Sequence, residues 1–361
     1  PGGGGRRPPP KGFPIVPGSD FCGVVVSLGS GVDADLFRID QKVAVEPRSF
    51  CSTCFYCERG QTNLCETGAL LFGWDMDGGC QQFISVNHKI VHTFSNVPFK
   101  QAVLTAPVAS VSYGMTKASI FPGDAVLVIG NHLRALLGVT FARCLGADFV
   151  CVVGQRGENG ATAISCGASK YMSLDPSDME AMEMSGVVSA VMERTEGRGA
   201  DAVYYPVEFG EDLPFLPLAM ASVRPGGCVI IAWSWGSDSV GLHGRQSTTG
   251  HGQHASRMDD MATDSSASQS QAGGGSAWGR GMLESASAKE VRIIGVRGFS
   301  SALFDQALRW IEGSLLDLGP VLTQMVPMHS WEKIKETLSA CPGVVLQPNE
   351  NPIMPVEEMR S

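Results

Sequence analysis

Residues 125–138 read AVLVIGNHLRALLG. Five consecutive apolar residues, Ala125 to Ile129, have the length and continuity of a strand buried on both faces. Gly130 then offers a tight turn, and an amphipathic helix is predicted near Arg134 to Leu145. Strand, glycine turn and helix in that order open a dinucleotide-binding unit. Its first glycine makes the turn, the second lets a pyrophosphate reach the backbone, and the third lets the helix lie on the sheet. Gly130 fills the first place and Ala135 is small enough for the third. His132 stands at the second, where a side chain crowds the phosphates. Gly130, His132, Leu133 and Ala135 are therefore the candidate cofactor-binding residues of this turn. Two readings of His132 stay open: a hydrogen-bond donor to a phosphate, or a histidine exposed at an emptied site.

Downstream the rhythm repeats. FVCVV at 149–153, AVYYPV at 202–207 after the GRGAD turn, CVIIAW at 228–233 after Pro225-Gly226-Gly227, and VRIIGV at 291–296 read as further parallel-sheet strands. Phe304 to Leu315 is amphipathic, a helix is expected near Trp331 to Ser339, and VVLQ closes as a strand. Upstream, short β-like runs (CGVVVSL, KVAVE, CQQFISV) are separated by Gly, Pro and Asp turns, which predicts an all-β unit. The expected organisation is α/β. Residues 1–13 are disordered, 14–105 form the β unit, and 106–318 form a doubly wound parallel sheet. A Ser/Gly/His-rich disordered insertion occupies 237–288, and 319–361 return to the β unit. His243, His251 and His254 fall in the insertion at irregular spacing and read as loop residues.

The 361 residues suit two domains, and 43% hydrophobic content suits a globular chain. No apolar run reaches the roughly 18 residues of a membrane span. A net charge of −9 argues against a nucleic-acid partner. Eleven cysteines are too sparse for a disulfide scaffold, so metal in a reducing compartment, the cytoplasm, is expected. The N-terminal PGGGGRRPPPKG holds no apolar stretch of a secretory signal.

Cys51, Cys54, Cys57 and Cys65 follow C-x2-C-x2-C-x7-C. Four thiolates on a short irregular loop can surround one Zn²⁺ tetrahedrally and leave no position for water or substrate, so the site is structural. Unliganded core cysteines are the alternative.

The stretches GSDFCGVVVSLGSGVD, KVAVEP, CSTCFYCERGQTNLCE and DGGCQQFISV together resemble the zinc-containing medium-chain alcohol dehydrogenases. Glu46-Pro47 ahead of the cysteines is most similar to the polyol and butanediol dehydrogenase branch. The resemblance covers about residues 14–347 apart from the insertion. It implies a GroES-like β domain plus a Rossmann domain, with the active site in the cleft between them and a homodimer or homotetramer as the assembly. Family members with a second, catalytic zinc hold it through an N-terminal Cys, expected upstream of Pro1, the His of G-H-E, and a Cys or Glu at the domain junction. Here Gly18-Ser19-Asp20 stands for G-H-E and Ala106-Pro107 for the junction. A hydroxyl is a poor zinc ligand and alanine is none, which predicts that no catalytic zinc binds. Asp20 reads either as a cation ligand or as a solvated carboxylate, and Cys22 as packing.

After the second strand, expected to end at Val153, come Gly154, Gln155 and Arg156. An NAD enzyme offers a carboxylate to the ribose there; glycine followed by arginine is similar to the family's NADP-binding form, so NADP(H) is favoured over NAD(H). The implied activity is hydride transfer between NAD(P)(H) and a small alcohol or carbonyl. The alternative is a catalytically silent or zinc-independent relative, similar to quinone or enoyl reductases, that binds nucleotide.

Overall fold

The computed structural model describes residues 14–322, apart from 34, 67–68, 156–159, 175–180, 208–212, 234–280 and 282, and the backbone of 324–327 and 344–347. The 1–13 segment, Arg156, the three histidines of the insertion and the helix expected near Trp331 lie outside the described residues.

The N-terminal unit holds an antiparallel sheet of β1 (Phe21–Val24), β2 (Lys42–Val45) and β3 (Val91–Thr93), in that spatial order. Its small core is Val45, Phe72 and Ile90, with Phe21 edge-on to Phe72 at 5.2 Å. CQQFISV does not form the expected strand. The backbone N–H groups just before and at its start are engaged by the Val16–Gly18 loop (Gly78 to Val16 at 2.7 Å, Cys80 to Pro17 at 3.0 Å), so no ladder continues, although Ile84 and Val86 still face the core.

The chain then passes through α1 (Phe99–Ala102) and α2 (Thr105–Ala118) to β4 (Ala125–Ile129), α3 (Leu133–Cys144), β5 (Phe149–Gln155), α4 (Gly160–Ser165), β6 (Lys170–Leu174) and α5 (Ala181–Arg194). It continues through β7 (Ala200–Val207), α6 (Leu216–Ser222), β8 (Val223–Trp233), β9 (Arg292–Arg297) and α7 (Ser301–Glu312) to a parallel pair, β10 (Gln324–Pro327) and β11 (Val344–Gln347). Six of these strands form one parallel sheet in the order β6-β5-β4-β7-β8-β9. The chain leaves β4 toward β5 on one side and returns to β7 on the other. The C-terminal ends of β4 and β7 therefore flank the crevice at which doubly wound sheets bind ligands.

Side chains of α2, α3 and α7 cover one sheet face (Val111, Met115, Leu136, Phe304, Leu308). The other is covered from α5 and α6 (Val187, Val191, Leu218, Met220). Helix α2 is buried at eleven of its fourteen positions, so it shows no amphipathic stripe to read in the sequence. Where α2 and α3 meet the sheet, Tyr204 of β7 is 0% exposed and its ring lies between two glycines. A Cβ on Gly138 of α3 would fall 2.8 Å from the ring, and one on Gly114 of α2 3.0 Å from it.

Three boundaries differ from expectation. Strand β5 runs on to Gln155, because Gly154 and Gln155 still pair with Ser173 and Leu174 of β6. Strand β8 begins at Val223, with Pro225-Gly226-Gly227 bulging between its pairings at Val223 and Cys228. Residues 283–288, inside the range expected to be disordered, are helical. There Ala286 packs on the core, and Lys289 next to it donates to the carbonyls of Met220 at 2.9 Å and Val223 at 3.2 Å, capping the end of α6.

Candidate functional site

The four cysteines converge. Between β2 and β3 the chain makes two short 3₁₀ turns, Cys57–Arg59 and Thr62–Leu64, and Cys65 closes the second. The sulfur atoms of Cys51, Cys54, Cys57 and Cys65 all lie within 4.8 Å of one another, with Cys51 and Cys57 at 3.9 Å. A tetrahedral Zn²⁺ with bonds of ~2.3 Å requires sulfur separations of ~3.8 Å, so the donor set fits that ion. Backbone N–H groups point at the sulfurs, Cys54 to Cys51 at 3.3 Å and Cys51 to Cys65 at 3.3 Å, a pattern that stabilises thiolates. Burial pushes the Cys57 thiol up to about 12, whereas the Glu66 backbone holds Cys54 below the ordinary thiol range. A cation held among the four would supply the charge that lets the half-buried Cys57 thiol ionise. Arg59 lies over the Phe55 ring at 3.6 Å and donates to the Phe55 carbonyl at 3.0 Å, bracing the outer wall of the lobe.

The lobe is also tied to the parallel-sheet domain. Between the third and fourth cysteines, Thr62 Oγ1 accepts from the Ser301 backbone N–H at 2.8 Å, and Asn63 donates to the Arg297 carbonyl at 3.1 Å. The first contact satisfies one of the N–H groups that the start of α7 leaves without an intrahelical partner. Beside them Glu46, only 3% exposed at the end of β2, accepts from Ser301 Oγ at 2.6 Å and lies 2.9 Å from His92 Nε2. The His92 ring packs against Phe304 at 4.8 Å. A small pocket opens here, lined among others by Glu46, Arg48, Asn63 and Phe299.

At the β4–α3 turn, Gly130 has φ +116, a conformation natural only to glycine. His132 is the residue before the first turn of α3, and that turn holds no acidic side chain to repel an anion from the helix N-terminus. Leu133 begins the helix and Ala135 is fully buried under it, as a small residue between helix and sheet should be. The His132 ring is turned toward β7, with Nε2 3.2 Å from the Pro206 carbonyl oxygen. Gly154 lies at the end of β5 under Asn131 and Tyr171, and Gln155 is the last residue of that strand.

The remaining candidates are separate in the chain. Ser19 and Asp20 are half-buried immediately before β1, and Ala106 is buried in the first turn of α2, offering no ligand atom. Cys22 is packed against the main core, its Sγ donating to the Phe99 carbonyl at 3.4 Å. Reasoning from the sequence missed Glu46, Thr62, Asn63 and Ser301 as a joint between domains. A carboxylate ending the apolar run KVAV was the one visible signal.

Fold and site together define a protein with a β unit that carries a four-cysteine lobe, joined to a doubly wound parallel sheet. Residues 4–96 match the alcohol dehydrogenase GroES-like domain. The chain is 26% identical over 219 residues to a sorbitol dehydrogenase of Bacillus subtilis, covering 60% of this chain and 58% of that one, a little over half the relative's length. By structure it is similar to a zinc-binding dehydrogenase of Sinorhizobium meliloti bound to NADP (TM-score 0.67, 19% identity, 95% and 86% of the two chains). It is also similar to an alcohol dehydrogenase of Escherichia coli complexed with NADH (TM-score 0.68, 18% identity, 93% and 84%). These similarities support a relationship to the zinc-type medium-chain alcohol dehydrogenases, carried by the GroES-like domain of residues 4–96. Among the described residues no helix is long and apolar enough to cross a membrane.

Proposed function

We propose that this chain is an oxidoreductase that moves hydride between NAD(P)(H) and a small alcohol or carbonyl of the polyol class. The observation that carries the reading is the sheet order β6-β5-β4-β7-β8-β9 with the glycine turn of Gly130 at its reversal point. The nicotinamide cofactor, when bound, supplies or takes up the hydride. The chain's own part is to receive the pyrophosphate at the N-terminus of α3, whose backbone N–H groups point outward there. Arg156, just beyond the end of β5, pairs a ribose 2′-phosphate, which favours NADP(H) over NAD(H).

One structural zinc in the cysteine lobe is part of the proposal. A second, catalytic ion does not fit the positions available to it, because Ala106 has no donor atom and Ser19 offers only a hydroxyl. No step is assigned to such an ion, and charge stabilisation on the substrate oxygen is assigned to the Ser19 hydroxyl. Self-association is assigned to the outer edge of β9, where Ile293 is exposed at the rim of the sheet.

The test is a fluorescence titration of the full chain with NADPH and NADH, followed by reduced-cofactor absorbance with a panel of polyols. Saturable binding and substrate-dependent absorbance change are expected. Binding without turnover on any alcohol or carbonyl favours the silent relative, for which the filled Ser19 and Ala106 positions speak.

A further inference from the structure

The crevice at the C-terminal ends of β4 and β7 is filled by the chain's own side chains. Register pairs Val128 with Tyr204, so two residues further on Gly130 stands level with Pro206. The His132 imidazole bridges these two: its Nε2 is 3.2 Å from the Pro206 oxygen and 3.1 Å from the point a Cβ on Gly130 would occupy. On the other side, toward β5, Asn131 is buried over Gly154. A Cβ there would fall 2.8 Å from the Asn131 Cβ and 2.5 Å from the Tyr171 hydroxyl. Absent side chains at Gly130 and Gly154 should leave backbone open to a pyrophosphate. Instead both glycines are roofed by Asn131 and His132, the two residues between turn and helix.

We infer that His132 is an internal competitor for the pyrophosphate and sets the affinity of this chain for dinucleotides. The inference rests on the nucleotide-binding reading above. The phosphates reach the α3 N-terminus only after the ring leaves the Pro206 oxygen, so the apparent affinity equals the intrinsic one reduced by the fraction of molecules with the ring displaced. Asn131 is a fixed wall rather than a gate, because it is buried whereas His132 is only partly so. The hydrogen bond to the Pro206 oxygen and the contact over Gly130 both favour the closed arrangement. Such a bond corresponds to roughly three- to tenfold in a dissociation constant. Both coenzymes share the pyrophosphate, so the effect falls equally on NADPH and NADH, unlike a change at Arg156.

The experiment is a fluorescence titration of the full chain and of His132→Gly and His132→Ala with each coenzyme, with thermal unfolding as a check on folding. Dissociation constants roughly three- to tenfold lower in His132→Gly for both coenzymes are expected. His132→Ala, which keeps a Cβ near the phosphates but does not loosen the helix start, lies between wild type and His132→Gly. Unchanged or weaker binding in both variants overturns the gate and leaves the nucleotide reading standing. Absence of saturable binding in all three proteins overturns the two together.

Discussion

The cysteine lobe and the β4–α3 turn are each a short loop following a strand, yet they treat their functional atoms in opposite ways. In the lobe four sulfurs point inward to a common centre within 4.8 Å, and backbone N–H groups support them. In the turn two glycines leave backbone bare of side chains, while Asn131 and His132 lie over it. A closed metal site is defined by what it gathers, so its completeness is visible without the ion. A nucleotide site is defined by what it leaves empty, and a single large side chain changes it.

The largest effect should come from breaking the lobe. Cys57→Ser is expected to abolish zinc retention and lower the unfolding free energy by at least about 4 kcal/mol, since structural zinc in small sites contributes on the order of 10–16 kcal/mol. Metal analysis and urea unfolding measure this; a variant that keeps one zinc per chain would show that the four sulfurs do not act as one closed site. Next comes Arg156→Ala, expected to weaken NADPH roughly ten- to a hundredfold while leaving NADH nearly unchanged, from the loss of ~1.5–3 kcal/mol of charge-assisted bonding. Equal loss for both coenzymes would return the turn to an unspecialised state.

Glu46→Gln tests whether the lobe's order reaches the parallel sheet. It keeps an acceptor for Ser301 and His92 but not the charge, and a destabilisation of about 1.5 kcal/mol is expected. Hydrogen exchange should rise in the first turn of α7, and unchanged protection there would confine the lobe's influence to its own domain. Ser301→Ala is the smallest, about 1 kcal/mol, because the backbone bond to Thr62 survives.

Much of the fold was legible because buried parallel strands are continuous apolar runs: AVLVI, FVCVV, AVYYPV and CVIIAW lie within observed strands, and VRIIGV does so from Arg292 onward. Strand β6, KYMSL, escaped because it is an edge strand with an exposed lysine and serine, and α2 because burial on all sides erases periodicity. The convergence of the four cysteines was legible since all four sit within fifteen residues, so local spacing carries the geometry. The joint of Glu46 with Ser301 spans 255 positions and leaves no local trace. For His132 the sequence reveals the intrusion, but only the neighbouring Pro206 carbonyl reveals the direction in which the ring turns.

The interlock of Tyr204 with Gly138 and Gly114 carries a consequence for how this chain can vary. With under 3 Å of clearance over Gly138, an alanine there gains helix propensity of about 1 kcal/mol yet collides with a ring that has nowhere to move. Positions 138 and 204 can therefore drift only as a matched pair. A library randomised at one of them should return the parent residue, and a library randomised at both should return combinations whose sizes compensate.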